Sequence, residues 1–294
     1  MKREAFFLSH LSYDSLCEES YLNNFLLKLH SIESDADEKD WHAQNAEKNK
    51  SFFAIPDKSG MLMFSGSDDQ ESIPPGSVYV MTLCGPVMPE TSWNVPGLDL
   101  LTAQLTWAAN EENIAAIVFQ LETGGGSTYG LWQFCDIVKS VAAQKPVVIH
   151  VNGMSASAGV AIHSSATETY SSHASTRIGS IGAAMSYLDI IGIFEKWGAK
   201  FHYVNAPSNP DKNAAFVEMR AGKYDRIEKE LSELHAEFKI MVKENRGEVP
   251  DDAMTGKMYN TTQAIDMNLV DGIATLEQAV SRAKQLSQTN TQII

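Results

Sequence analysis

A serine set among small residues, Ser155-Ala156-Ser157-Ala158-Gly159, is where this chain can present a nucleophile. A hydroxyl held at a strand-to-helix junction has backbone N–H groups beside it, the arrangement that acyl transfer requires. Ser157 is the first candidate and Ser155 the second. A turn upstream, Thr123-Gly124-Gly125-Gly126, lets the backbone approach a ligand closely and aim N–H groups into a concavity. With Ser157 attacking a carbonyl, the oxyanion would be held by N–H groups of Gly125 or Gly126 and of Ala158. A serine is a weak nucleophile until its proton is removed, by histidine in triads or by a neutral lysine in Ser-Lys dyads. The bland reading of the same residues is a tight helix start with a capping serine, and of the glycine run a flexible turn.

The surrounding elements must bring these loops together. Val78–Leu83, Ala115–Leu121 and Pro146–Val151 are short apolar, β-branched runs, each followed by a glycine-containing turn. Leu98–Asn110 and Tyr129–Ala143, which separate them, have helical periodicity. Strands alternating with helices of this length form right-handed βαβ units with parallel strands, whose C-terminal loops gather on one side. The turns after Leu121 and Val151 are therefore expected to be neighbours. Further along, Phe201–Val204 reads as a strand, and Ile227, Leu231, Leu234, Phe238 and Met241 mark a long amphipathic helix within Lys223–Arg246. Thr261–Met267, Val270–Ile273 and Leu276–Leu286 read as helix, strand and helix.

The first 75 residues differ in character. Ser31–Lys50 is highly charged, and Ser65–Gly76 combines acidic, small and proline residues, so both read as linker or surface. Leu22–Leu29 reads as a short amphipathic helix. The expected organisation is an N-terminal extension over 1–75, one α/β domain over 76–286 and a frayed tail over 287–294. Net charge is −14, from 37 acidic and 23 basic residues, which disfavours nonspecific attraction to nucleic acid or anionic membrane. Cys17, Cys84 and Cys135 are isolated and odd in number, which points to a reducing compartment and not to a disulfide framework. No apolar run reaches the roughly 20 residues that span a bilayer, and Ser9, His10 and Asp14 interrupt any signal-peptide core. A cytoplasmic protein without a membrane anchor is expected. No metal-ligand spacing or phosphate-loop lysine is present, so no cofactor is expected.

Several motifs in order, Thr123-Gly-Gly-Gly126, Gly153-Met-Ser-Ala-Ser157-Ala-Gly159, Gly179-Ser-Ile-Gly182 and Gly256-Lys-Met-Tyr259…Ala264…Leu269-Val270-Asp271, resemble the signal peptide peptidase A (protease IV) family of serine peptidases. The resemblance runs from about Val78 to Val280. It implies an α/β Clp protease/crotonase-like fold of repeated ββα/βαβ units, with a mostly parallel sheet and a helical C-terminal part. The family usually has Ser-Pro-Gly-Gly at the oxyanion turn. By the same resemblance Ser157 matches the nucleophile and Ser180 the serine that orients a general-base lysine. That lysine follows the strand corresponding to Phe201–Val204, and Lys212 is the only lysine in Asn205–Ala215. The chain departs from the family here: Pro207-Ser-Asn-Pro210-Asp-Lys212 replaces the usual Gly-X-His/Tyr-Lys approach. A lysine acts as a base only when burial or nearby positive charge brings its pKa well below about 10.4, so Asp211 is expected to point to solvent. A histidine base, from among His150, His163, His173 and His202, is the alternative; His163 should point away, down the helix after Ser157.

The resemblance implies a serine endopeptidase acting on protein or peptide substrates through a Ser157–Lys212 dyad and assembling as a homo-oligomer. Anchorless family members of about this length resemble phage or prophage head-maturation proteases, which cleave capsid or scaffold proteins in the host cytoplasm. The N-terminal region would then be a docking segment or a self-cleaved extension. A cytosolic protein- or signal-peptide-degrading role is the alternative within the family. A reading of another class is a crotonase-like acyl-CoA enzyme, which uses two N–H groups without a serine nucleophile, or an inactive assembly scaffold.

Overall fold

A run of eight residues, six of them apolar, explains the centre of the fold. In the computed structural model, which describes residues 15–17, 35–56, 62–66, 73–92, 94–186 and 191–290, Ser77–Cys84 is a strand (β4) buried along nearly its whole length. Strand side chains alternate between faces. Tyr79, Met81 and Leu83 enter one core, while Val78 and Val80 enter a second on the opposite face. Only a sheet covered on both sides can hold such a strand.

The described strands are β1 (Ser15–Cys17), β2 (Phe52–Pro56), β3 (Leu62–Gly66), β4, β5 (Ile114–Thr123), β6 (Gly125–Ser127), β7 (Val147–Ala156), β8 (Glu168–Ser171), β9 (Arg177–Gly179), β10 (Met258–Asn260) and β11 (Gly272–Ile273). Nine of them form one sheet in the order β10-β9-β7-β5-β4-β2-β3, with β8 on β7 and β11 on β8. The pairs β4–β5, β5–β7, β7–β8, β7–β9 and β8–β11 are parallel, whereas β2 and β10 join antiparallel. The mostly parallel α/β fold expected from sequence is therefore present.

Helices α1 (Asp35–Lys48), α2 (Leu98–Asn110), α3 (Leu131–Ala142), α4 (Ala158–Ser164), α5 (Ile191–Lys196), α6 (Ala214–Arg220), α7 (Asp225–Arg246), α8 (Thr261–Asp266) and α9 (Leu276–Asn290), with a 3₁₀ turn at Asp251–Met254, complete the described elements. Leu98, Leu101, Leu105 and Ala108 recur at helical spacing and bury one face of α2. On the other side of the sheet Ala279, Val280 and Ala283 of α9 pack on Val78, Val80, Ala116, Val118 and Val148. The late Asp271 acts as a clamp: both its carboxylate oxygens accept from the Arg246 guanidinium at 2.9 and 3.0 Å, and one also accepts the Thr169 N–H at 2.6 Å. The end of α7 is thereby tied to β8.

Three expectations change. The charged run Ser31–Lys50 is not a linker where it is described: Asp35–Lys48 is helical, and Trp41 and Asn45 are buried on one side of it. Asn49, just after α1, exchanges hydrogen bonds with the backbone of Cys84 at 3.1 and 2.6 Å, which fixes the helix to the end of β4. Phe201–Val204 forms no strand. There the loop closes on itself, with Tyr203 Oη and Asn205 Nδ2 both donating to the Lys212 carbonyl, at 2.5 and 3.1 Å. The last helix continues to Asn290, beyond Leu286. The helix expected over Leu22–Leu29 lies outside the described residues.

Phe119 of β5 is fully buried against Phe134 of α3, with ring centroids 6.4 Å apart and edge to face. Phe119→Ala should lower the unfolding free energy by about 3–5 kcal/mol, measured by urea titration. A loss below ~1 kcal/mol would contradict this packing.

Candidate active site

Gly159 shows why the serine segment must be built from small residues. A Cβ placed there would lie 2.6 Å from Thr123 Cγ2 and 2.7 Å from Ser155 Oγ. Strands β5 and β7 run so close that Thr123 pairs with Ser155, and α4 starts within that contact. Ser157 makes the junction, with φ 54° and ψ −112°, a left-handed conformation that costs an L-residue roughly 1–3 kcal/mol. Its N–H donates to Gly179 O at 2.8 Å, which extends the pairing of Ala156 with Gly179 by one step. Ser180 follows directly, also at φ 54°. The structure thus brings Ser157 and Ser180 side by side at the ends of two neighbouring parallel strands. The Ser157 hydroxyl makes no hydrogen bond to another described residue.

Two of the late motifs support this junction physically. Ser180 N–H donates to Lys257 O at 2.7 Å, and Gly256 N–H to Ile181 O at 2.9 Å. A Cβ on Gly179, at φ +135°, would sit 2.3 Å from the Lys257 carbonyl oxygen. Gly179-Ser-Ile-Gly182 and Gly256-Lys-Met-Tyr259 are therefore two faces of one close contact, made through the β9–β10 pair.

The glycine turn lies against the same helix, β6 being in contact with α4. Gly126 has Val87 directly beneath it: an added Cβ would be 2.0 Å from the Val87 carbonyl oxygen. The two candidate donors at this turn are not equivalent. Gly125 N–H already donates to Thr123 Oγ1 at 3.1 Å. Val87 takes the next groups on that edge, its N–H donating to Gly125 O and its carbonyl accepting from Ser127 N–H, both at 2.9 Å. Backbone groups of successive strand residues face opposite edges, so the Gly126 N–H faces away from Val87. Ala158, as the first residue of α4, has an N–H with no intrahelical acceptor.

The second serine and the histidines are otherwise engaged. Ser155 is fully buried, and its hydroxyl is 2.9 Å from His163 Nδ1. This Ser–His pair lies behind the junction with no exposed surface, where substrate cannot reach. Burial pushes the His163 imidazole down to about 3; Arg246 acts in the same direction, and the Leu269 backbone opposes it weakly. Nε2 of His163 is itself buried without a hydrogen-bond partner among the described residues. His150 is buried, with Nε2 3.1 Å from Ala274 O. The side chain of His173 is engaged with Ser175, and His202 is exposed.

Lys212 is not joined to Ser157. It lies in an exposed turn before α6, and its ammonium makes no ion pair with a described residue. Asp211 is 81% exposed and approaches Arg226 at 3.5 Å, not Lys212. A lysine that sequence reasoning passed over, Lys257, has its main chain beside Ser180 and an exposed side chain. The signal was its place after Gly256 in a motif valued only for its order. Glu122, next to Thr123, was also passed over; burial raises its carboxyl above the usual range, against the lowering effects of Lys48 and of the hydrogen bond from Asn152.

Comparison with known proteins decides the family. The model of peptidase family S49 matches residues 139–290, over half the chain, from the end of α3 through the serine junction to α9. The chain belongs to peptidase family S49. The Clp protease model matches residues 88–180, which include the glycine turn and both serines of the junction. Among relatives of this S49 chain, a protein of Methanocaldococcus jannaschii described as a protease is 24% identical over 63% of the chain and 60% of its own length. The capsid assembly protease C of Escherichia phage lambda is 24% identical over 63% of the chain and 42% of its own length. A protein of Brucella melitensis named Na(+)/H(+) antiporter NhaA is 27% identical over 67% of the chain but only 27% of its own length. The chain thus spans less than two thirds of each of these relatives. Among its described residues no helix is long and apolar enough to cross a membrane.

The buried histidine has a consequence for stability. In the unfolded chain its imidazole takes up a proton below about pH 6.5, whereas in the folded chain it does so only near 3. The unfolded state binds more protons between these values, so stability falls as pH is lowered through that window. On the order of 2 kcal/mol should be lost from this group by pH 5. Urea titrations at pH 7.5 and 5 should show this loss in the parent and a correspondingly smaller pH dependence in His163→Gln; equal slopes would contradict it.

Proposed function

We propose that the chain is a serine endopeptidase in which Ser157 is the nucleophile, and that the carbonyl oxygen under attack is held by the N–H groups of Gly126 and Ala158. The observation that carries this reading is the junction itself: a Ser157 of positive φ at the start of α4, beside Ser180 and next to a glycine strand whose Gly126 N–H faces away from Val87. Family membership supports the same assignment. Lys212 is the proposed base. It would take the Ser157 proton during acylation, pass it to the departing amine, and then activate water to release the acyl group. Ser180 would position the ammonium.

The exposed position of Lys212 sets a condition on this mechanism. The segment that carries it also exposes Ile193, Phe194, Trp197, Phe201 and Val204. Apolar side chains in this density on one segment mark an interaction surface, and we attribute it to association with further copies of this chain. Assembly would cover the loop and take the ammonium out of water, which is what makes a lysine available as a neutral base. The proposed substrate is an extended segment of a capsid or scaffold protein, on the strength of the similarity to the phage lambda capsid assembly protease. The antiporter-named relative, matched over a quarter of its length, gives no support for ion transport. A crotonase-like acyl-CoA enzyme would share the two N–H groups but have no use for Ser157.

Hydrolysis of casein or of extended fluorogenic peptides should fall at least about 10³-fold in Ser157→Ala. Lys212→Ala should fall comparably, and Lys212→Arg should not recover, because a guanidinium stays protonated. Activity retained in Ser157→Ala would overturn the peptidase reading. Loss in Lys257→Ala with Lys212→Ala unaffected would move the base to Lys257. Trp197→Glu should shift sedimentation toward the monomer and reduce activity to the level of Lys212→Ala; a monomer with full activity would refute the role of assembly.

A further inference from the structure

Strand β6 has two edges, and both are occupied. Val87 holds one, through Gly125 O and Ser127 N–H. On the other lies β1, antiparallel, with Ser15 opposite Ser127, Leu16 opposite Gly126 and Cys17 opposite Gly125. Since the Gly126 N–H and carbonyl face this second edge, the Leu16 backbone is the partner opposite the group proposed above to hold the oxyanion. An extended peptide adding a strand to this site would need the same edge and the same N–H. Ser157, next to it, is 1% exposed, so the chain in this state does not offer its hydroxyl to solvent.

We infer that the edge of β6 away from Val87 is the peptide-binding subsite and that residues 15–17 are its intramolecular occupant, an inhibitory strand that substrate must displace. The inference rests on the peptidase reading for the word inhibitory, whereas the strand placement stands without it. Three features make β1 suited to the part. It runs antiparallel, as a strand-adding peptide would. It pairs with β6 alone among the described strands, so it can leave without opening the nine-stranded sheet. It belongs to the same chain, so it competes with free substrate as an intramolecular segment whose effective concentration does not fall on dilution. Substrate at micromolar concentration would therefore bind slowly until β1 is drawn off.

The test compares the full-length parent with Leu16→Pro. Proline has no N–H to donate to the Gly126 carbonyl and breaks the ladder at its middle residue. Two readouts separate the claims. Hydrogen exchange at the Gly126 amide should be protected in the parent and at least about tenfold faster in the variant. The rate at which a fluorophosphonate labels Ser157 should rise about fivefold or more in Leu16→Pro, and a synthetic peptide of residues 12–20, added at millimolar concentration, should slow it again. Equal exchange and equal labelling in the two proteins would overturn the inference and leave the peptidase reading intact. Faster exchange with no labelling of either protein would overturn the inhibitory role together with the peptidase reading. An intact mass showing that the purified parent begins at Cys17 would also overturn it, since the strand would be consumed and not held.

Discussion

The hydrogen bond from Ser157 N–H to Gly179 O, 2.8 Å long, is the constraint on which the site depends. It holds a residue with φ 54° where the chain leaves β7 and enters α4. An L-residue keeps such a conformation only if its surroundings determine it. Here they do: β7 lies between β5 and β9, Gly159 fits against Thr123 and Ser155, and the Lys257 carbonyl receives the neighbouring Ser180 N–H. Two glycines of these motifs answer to a measurable approach, 2.6 Å at Gly159 and 2.3 Å at Gly179 for an added Cβ. The chemistry proposed for Ser157 is thus a property of three strands in register.

The same packing sorts the polar groups into supporting and acting ones. Ser155 and His163 look like catalytic partners by type, and they touch at 2.9 Å. Their burial removes them from any substrate, and the imidazole stays neutral because water is excluded. Gly125 and Gly126 look equivalent in sequence, yet one N–H is spent on Thr123 Oγ1 and the other faces the edge away from Val87. An edge that offers free backbone groups attracts a strand, and β1 is the strand found there.

Much of this was legible in the sequence because it is local or periodic. Short apolar, β-branched runs such as Val78–Leu83 read as strands and are buried ones, and Leu98–Asn110 is a helix with the bounds its periodicity suggests. Ser157 and the glycine turn were legible from residue chemistry and Ser180 from the family's motif order, and the parallel strands place them together. What was hidden depends on partners distant in sequence. The strand at Arg177–Gly179 is three residues long and exists through β7 and β10. The charged α1 gives little apolar pattern, and its fixing to β4 runs through Asn49 and Cys84. Phe201–Val204 has strand-forming residues, but no described strand pairs with it, and its loop is closed by side-chain bonds to the Lys212 carbonyl. Lys212 follows from position along the chain, which carries no information on whether its ammonium is covered.

The most direct measurement of the central claim is a crystal structure of the protein treated with a peptidyl boronic acid. Boron should be bonded to Ser157 Oγ, with one boronate oxygen within hydrogen-bonding distance of the N–H groups of Gly126 and Ala158. A boronate bound to Ser155, or one on Ser157 whose oxygens point away from Gly126, would contradict the account.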